Sequence, residues 1–388
     1  MIKSAKRTKQ VREYYFSGKL SEIRDMISDD IDVINMGIGN PDIQPPGEVI
    51  KTLTDTSARA GVHGYQPYNG IYELRAAISE WYKRYYNIEL DPESQVLPLI
   101  GSKEGILHIS MAYLDRGDNV LVPDPGYPAY ASAAEICGAG CIHYDLEEAN
   151  NWMPSLEKIQ KKDLRGVKLM WINYPNMPTG ARASDDLFRN LVDFAREHNI
   201  LLINDNPYSF ILNTMPLSIL TADKSFENVL ELNSLSKSHN MAGWRMGMVL
   251  GHKHHINNIL RIKSNMDSGM FLPLQLAAVE ALRMGQDWYA GINAIYALRK
   301  QIVLEVLDCL DCWTEGNQSG MFLWSKIPDI FSDSYEFSDY CLHRFHLFIT
   351  PGQIFGLNGH RFIRTSLCIN EYRLREALIR VKKQNHEG

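Results

Sequence analysis

Asn233-Ser234-Leu235-Ser236-Lys237-Ser238-His239-Asn240-Met241-Ala242-Gly243-Trp244-Arg245-Met246-Gly247 is the stretch on which the reading of this chain turns. An apolar run at 229–232 leads into it and a second at 246–251 follows, so its polar residues belong to a strand-end loop. A lone lysine is a poor nucleophile at neutral pH because it is almost wholly protonated. Beside a fixed arginine on such a loop, Lys237 can shed that proton and condense with an aldehyde. Ser234 and Ser236 offer hydroxyls and Arg245 a guanidinium, the groups a phosphate needs. An aldehyde and a phosphate on one ligand describe pyridoxal phosphate (PLP). Most lysines in polar turns are plain surface groups, so the reading depends on finding the ligand's other partners elsewhere.

The chain around this loop is long enough for them. Its 388 residues suggest two or so domains with ample core for a large α/β unit. A hydrophobic fraction of 45% and a charged fraction of 22% are ordinary for a globular protein, and a net charge of −6 gives no basic field for nucleic acid. The N-terminal stretch carries Lys3, Lys6, Arg7, Lys9 and Arg12, then Tyr14, Tyr15 and Phe16. It lacks the apolar centre of a signal peptide and reads as a docking arm. No apolar stretch approaches membrane-spanning length. The six cysteines (137, 141, 309, 312, 341 and 368) form no disulfide framework. Cys309 and Cys312 fit a CxxC pattern, but the pair follows a helical run, so small apolar side chains are the better reading than a metal or redox site. Reduced cysteines fit the cytoplasm.

Short apolar runs alternate with helical patterns through the middle of the chain. Strands are expected at 96–100, 119–123, 167–173, 200–204, 229–233 and 246–251, with helices at 104–114, 185–198 and 129–136 between them. Such alternation predicts an α/β fold with a mainly parallel sheet covered on both faces, and ligands at the carboxyl ends of its strands. A long helical pattern at 275–310, broken near Gly285, leads into a smaller α+β unit. That unit has strands at 320–324 and 347–349 and a last helix at 371–382. The expected division is an arm plus part of the small domain at 1–44, a large domain at 45–285 and a small C-terminal domain at 286–388.

Polar residues do gather just after the expected strands. Asp205 follows one, in Asp205-Asn206-Pro207-Tyr208; a carboxylate there can keep a pyridinium nitrogen protonated. Tyr208 could donate to the ring oxygen, although Asp-Asn-Pro is equally a plain turn. Gly101-Ser102-Lys103-Glu104-Gly105 follows another strand and opens a helix, where free N–H groups bind anions. Tyr127, on the proline-stiffened Pro123-Asp124-Pro125-Gly126-Tyr127-Pro128, could stack on a heterocycle or pack beneath its loop. Arg364, on an otherwise apolar strand, wants a carboxylate, from a substrate or from a structural ion pair. No Walker A motif and no strand-following GxGxxG supports a nucleotide fold.

Together these segments resemble the class I/II aminotransferases of PLP fold type I, the aspartate aminotransferase superfamily. The likeness runs in order from Gly37-Ile38-Gly39-Asn40-Pro41-Asp42 through Tyr65, Gly70 and Leu74-Arg75 to Gly101-Ser102 and Tyr127. It continues with Tyr174-Pro175-Asn176-Met177-Pro178-Thr179-Gly180, Asp205 with Tyr208, and Ser234 to Arg245. It ends at Pro351-Gly352, Phe355-Gly356 and Arg364. The wording GSKEG and Asp267-Ser268-Gly269-Met270-Phe271 looks closest to the diaminopimelate and alanine-type branch. The resemblance implies Lys237 as the Schiff-base lysine that later moves the α-proton. It implies Asp205 on the ring nitrogen, Tyr208 on the ring oxygen and Tyr127 stacked on the ring. Gly101, Ser102, Lys103, Ser234, Ser236 and Arg245 would surround the phosphate. Tyr65 would reach the phosphate of a second subunit, hence a homodimer with shared sites. Arg364 and the backbone near Gly39 would hold the substrate α-carboxylate.

One position departs from the family. Asparagine usually precedes Pro-Thr-Gly and donates to the ring oxygen; here Met177 stands there, and a thioether cannot donate. Either Tyr208 is left as sole donor or Asn173 or Asn176 substitutes. The expected activity is amino-group transfer from an amino acid to a 2-oxo acid by way of pyridoxamine phosphate. A C–S β-lyase of the cystathionine type on the same fold is the alternative. A PLP-sensing transcription regulator would need a DNA-binding domain, for which the residues before Gly37 are too few. No second arginine marks a dicarboxylate side chain, and Lys103, Lys263 and Asn265 are the polar residues expected near the pocket.

Overall fold

Apolar runs of four to six residues, joined by one edge strand without such a run, assemble into a seven-stranded sheet in the computed structural model of the chain, which describes residues 2–5, 7–10 and 15–386. Across the sheet the strands are Val96–Leu99, Gly247–Gly251, Val229–Ser234, Leu201–Asp205, Val167–Ile172, Asn119–Asp124 and Gly140–Asp145. Only Gly247–Gly251 runs against its neighbours. Its side chains show why the strands read as continuous apolar runs: both faces are buried. Leu97, Leu99, Val120, Val122, Leu201, Ile203, Leu230 and Leu232 point to one apolar layer, packed with Ile106, Ile109 and Ile259 of the helices Ser102–Tyr113 and Lys253–Lys263. Val96, Leu121, Leu202 and Val229 point to the other, with Ile78, Trp81 and Leu191 of Tyr72–Tyr86 and Asp185–Glu197. This is the two-sided covering a parallel sheet requires.

Local chemistry sets the helix ends. Ser184 caps Asp185–Glu197 by accepting the Leu187 N–H, with Asp185 and Asp186 in the first turn facing the positive helix end. Tyr72–Tyr86 stops at Asn87, which takes the left-handed conformation at φ 55°.

A second, antiparallel sheet has the order Thr350–Pro351, Phe362–Ser366, Phe322–Lys326, Trp313–Thr314. The long helix Gln286–Cys309 packs on the last helix, Glu371–His386. Ile34–Asn35 pairs parallel with Leu347–Phe348, so the early chain is tied to late chain; Ile23 and Val33 bury against Leu342 and Phe348. Of the N-terminal basic and aromatic residues, Lys6, Arg12 and Tyr14 lie outside the described residues. Tyr15 packs on Tyr335 with ring centroids 5.5 Å apart.

Gly140–Asp145 was not expected from sequence. As an edge strand it buries only Tyr144, so it carries no apolar run to read. The six cysteines are unbridged. Among the described residues no helix is long and apolar enough to cross a membrane.

Candidate active site

A cavity of about 700 Å³ opens at the carboxyl edge of the large sheet. Parallel topology delivers its lining. Asp205 and Ser234 are the last residues of their strands, and Ser102, Tyr127, Asn173 and Met177 follow theirs. Arg245 reaches the same edge because the antiparallel strand Gly247–Gly251 begins where its neighbours end. Gly39, Phe322, Phe355 and Arg364 close the opposite wall.

Lys237 stands in the short helix Leu235–Ser238, and its Nζ donates to the Gly39 carbonyl at 2.8 Å. Burial lowers its pKa; the charges of Arg364 and Arg245 act in the same sense, against an opposing influence of Cys368. The amine is therefore more easily neutral than a surface lysine. Asp205 is buried. Its Oδ2 accepts from the Tyr130 hydroxyl at 2.9 Å, while Oδ1 accepts no hydrogen bond among the described residues. Burial pushes its carboxyl up to about 7, Tyr130 pulls the other way, and the charge of Glu231 adds to the rise. Tyr208 is buried, and burial raises its hydroxyl well above the ordinary value, so it remains a donor. Tyr127 lies edge-on to Tyr130, with centroids 5.6 Å apart at 86°.

At the far end, the helix Ser102–Tyr113 presents its N-terminus behind Gly101, at φ +80°. A Cβ on Gly101 would come within 2.1 Å of the Arg245 guanidinium, so only glycine lets Arg245 close over this helix end. Arg245 is itself left-handed at φ 56° and donates to the Ala242 carbonyl at 2.8 Å. Ser234 Oγ receives the Ser236 N–H at 3.1 Å and lies 2.8 Å from Ser236 Oγ. Lys103 also lines the cavity.

Arg364 leaves its strand toward the cavity. Its guanidinium carbon lies 4.0 Å from the Phe322 ring centroid and 4.7 Å from that of Phe355. Nη2 donates to the Gly37 carbonyl at 2.8 Å and Nη1 contacts Met177 Sδ at 3.3 Å. Met177 thus lines the site as a soft acceptor, not a donor. Asn176 is turned into its own loop, accepting from Thr179 N and Oγ1. Asn173 does line the cavity, with Oδ1 accepting the Met177 N–H at 2.7 Å and Nδ2 donating to the Asp205 carbonyl. Of the two amides, only Asn173 lines the cavity.

Two residues expected near the pocket lie elsewhere, and Tyr65, expected at a second subunit's site, does not line this one. Tyr65 is 93% exposed and outside the cavity. Lys263 is fully buried, spent on Asp267 at 2.7 Å and on the Tyr68 carbonyl, and Asn265, in the turn after the helix Lys253–Lys263, donates to the Arg261 carbonyl. Neither of these last two lines the cavity, so the reading of both as pocket residues is corrected. Sequence reasoning missed Tyr130, Phe322 and Phe355. Tyr130 lies two residues past the quoted proline turn, but nothing local showed its hydroxyl meeting a carboxylate 75 residues on.

The constellation suits PLP. An acceptor without a donor sits where a ring nitrogen would bring one, an amine of lowered pKa stands between, and hydroxyls, a helix N-terminus and a guanidinium gather at the phosphate end. Known proteins agree. Residues 31–381 match the family described as aminotransferase class I and II. The LL-diaminopimelate aminotransferase of Halothermothrix orenii is 37% identical, over 99% of both chains. That of Aquifex aeolicus is 36% identical, over 98% of this chain and 99% of its own. The apo structure of BacF from Bacillus subtilis superposes with a TM-score of 0.95 at 35% identity, covering 99% of each chain.

Proposed function

Since the chain belongs to the class I and II aminotransferases, PLP-dependent enzymes that move an amino group from an amino acid to a 2-oxo acid, we propose the residue roles and the substrate as follows. Lys237 carries the cofactor and takes the proton from the substrate Cα. Asp205 receives the ring nitrogen on Oδ1, Tyr208 and Asn173 face the ring oxygen, and Tyr127 covers the ring. Gly101, Ser102, Lys103, Ser234, Ser236 and Arg245 surround the phosphate. Bound PLP supplies the electron sink that makes the Cα–H bond acidic. Arg364 receives the α-carboxylate as a fork, which orients that bond toward Lys237. The observation that carries this reading is the shared loop: Gly37 accepts from Arg364 and Gly39 from Lys237, each at 2.8 Å, so receptor and base are set by one piece of backbone.

The amino substrate we propose is LL-diaminopimelate, on the strength of relatives so named that match from end to end. The test is a donor panel of LL-diaminopimelate, glutamate, alanine and phenylalanine with 2-oxoglutarate or pyruvate as acceptor. A highest kcat/KM for LL-diaminopimelate supports the assignment, and preference for another donor overturns it. Division into residues 1–44, 45–285 and 286–388 belongs to the same reading. So does a homodimer: Tyr65, Tyr68, Tyr72, Met266 and Phe271 are exposed, and His63 and Phe271 stack at 5.9 Å, joining the two segments into one surface for a second copy. A fully active monomer in sedimentation would refute the dimer.

A further inference from the structure

Asp42 and Arg299 are joined across 257 residues, and neither lines the cavity. Arg299 stands in the middle of the helix Gln286–Cys309 with its side chain 5% exposed. Its Nη1 and Nη2 donate to Asp42 Oδ1 and Oδ2 at 2.6 and 2.9 Å, a fork on a carboxylate. Nη1 also donates to the Leu367 carbonyl at 3.1 Å. Its Nε lies 3.7 Å from Glu371, a looser contact from the last helix.

What the guanidinium joins gives the pair its meaning. Asp42 ends the segment 37–42, whose Gly37 and Gly39 carbonyls receive Arg364 and Lys237. Leu367 directly follows Phe362–Ser366, the strand that carries Arg364. One side chain therefore grips both the loop and the strand that shape the carboxylate receptor. Other contacts hold the start of this loop: Thr350 Oγ1 donates to the Gly37 carbonyl at 2.8 Å, Ser366 N to the Met36 carbonyl at 2.7 Å, and Asn35 Oδ1 accepts from Gly37 N and Ile38 N. Gly39 itself packs on the Phe322 ring, which a Cβ there would meet at 2.1 Å. Beyond the Lys237 bond at Gly39, the next side-chain bond on the loop is that of Asp42.

We propose that Arg299 and Asp42 are positioning residues for substrate carboxylate recognition, acting through the 37–42 loop without touching substrate or cofactor. The fork sets the distance between the Gly37 and Gly39 carbonyls and the strand bearing Arg364. Loosening it displaces the receptor while leaving the phosphate end and Asp205, which belong to the large sheet, in place. The proposal rests on Arg364 as the carboxylate receptor in the reading above.

The test compares two substrates on the holoenzyme: the preferred amino acid and the corresponding amine lacking every carboxylate, which for LL-diaminopimelate is 1,5-diaminopentane. Asp42→Asn, at a side chain 31% exposed, is the principal variant. Arg299→Lys, which keeps the charge but loses the fork, is the second, and Arg364→Gln is the control. Asp42→Asn should lower kcat/KM for the amino acid by about 10- to 100-fold, mostly through KM, and lower the slow amine reaction, which shares Lys237 but has no carboxylate to place, by at most about threefold. It should weaken binding of the unreactive carboxylate glutarate, measured by calorimetry, by a similar factor. The cofactor's absorbance spectrum and its dissociation constant should not move. An equal fall for amino acid and amine, or no fall for either, overturns the clamp. If Arg299→Lys fails to fold, Asp42→Asn still decides. If Arg364→Gln itself fails to separate the two substrates, the carboxylate-receptor reading is what fails. If Arg364→Gln separates them and Asp42→Asn does not, only the clamp does.

Discussion

Asp205→Asn should stabilise the cofactor-free protein at alkaline pH while disabling it as an enzyme. The buried carboxyl has an ordinary value of 3.8 and is pushed up to about 7. Because its pKa is higher folded than unfolded, the native state holds a proton that the unfolded state releases. Its protonated form is favourable to folding below about pH 4, and that contribution is lost as pH rises through about 7. At about 1.4 kcal/mol per pKa unit, the loss amounts to at most on the order of 4 kcal/mol. Asparagine has no proton to release, so the difference in stability between variant and wild type should grow in favour of the variant across that window. Tyr130 can still donate to the amide oxygen, which limits the change to the charge. The assay is urea denaturation of both proteins, stripped of cofactor, at about pH 5 to pH 8 in one buffer series. With PLP bound the order should reverse, because a protonated ring nitrogen at Oδ1 favours the carboxylate and the amide cannot match it. A difference between the two cofactor-free proteins that is flat in pH refutes the reasoning.

Lys237→Ala should abolish covalent cofactor attachment, checked by borohydride reduction and peptide mapping; a label on any other lysine would contradict the assignment. Gly101→Ala places a Cβ within 2.1 Å of the Arg245 guanidinium at φ +80°. It should weaken PLP binding by about 2–3 kcal/mol, the scale of a lost charge-assisted contact, measured as the cofactor dissociation constant. Arg364→Ala should cost about 2–5 kcal/mol in kcat/KM for amino acids, since it removes a forked charge pair. Met177→Asn supplies a donor where a thioether now accepts from Arg364, and should move the pH midpoint of the bound cofactor's absorbance change; an unmoved midpoint shows that the side chain does not reach the ring oxygen.

Much of the site was legible because parallel sheets place it at strand ends. Once the apolar runs at 200–204 and 229–233 were seen, Asp205 and Ser234 had to sit at one edge, and Lys237 followed by its spacing from Ser234. Arg364 was legible as a cation on an apolar strand. Those are local properties: burial pattern, charge and distance along the chain. What stayed hidden depends on pairs far apart in sequence. The edge strand Gly140–Asp145 has too little buried surface to leave a pattern. The Tyr130 hydroxyl and Asp205 meet only because two strands and a helix are packed together. Lys263 looked available for the pocket until the helix carrying it turned its ammonium onto Asp267. Arg299 and Asp42, each an ordinary charged residue in its own neighbourhood, acquire a role only because the fold carries a late helix against an early loop. Sequence alone determined which chemistry the chain holds, since that is set by residue types at strand ends. The tertiary structure decided which groups are buried, partnered or turned aside, because desolvation and hydrogen bonding depend on neighbours that the chain order does not name.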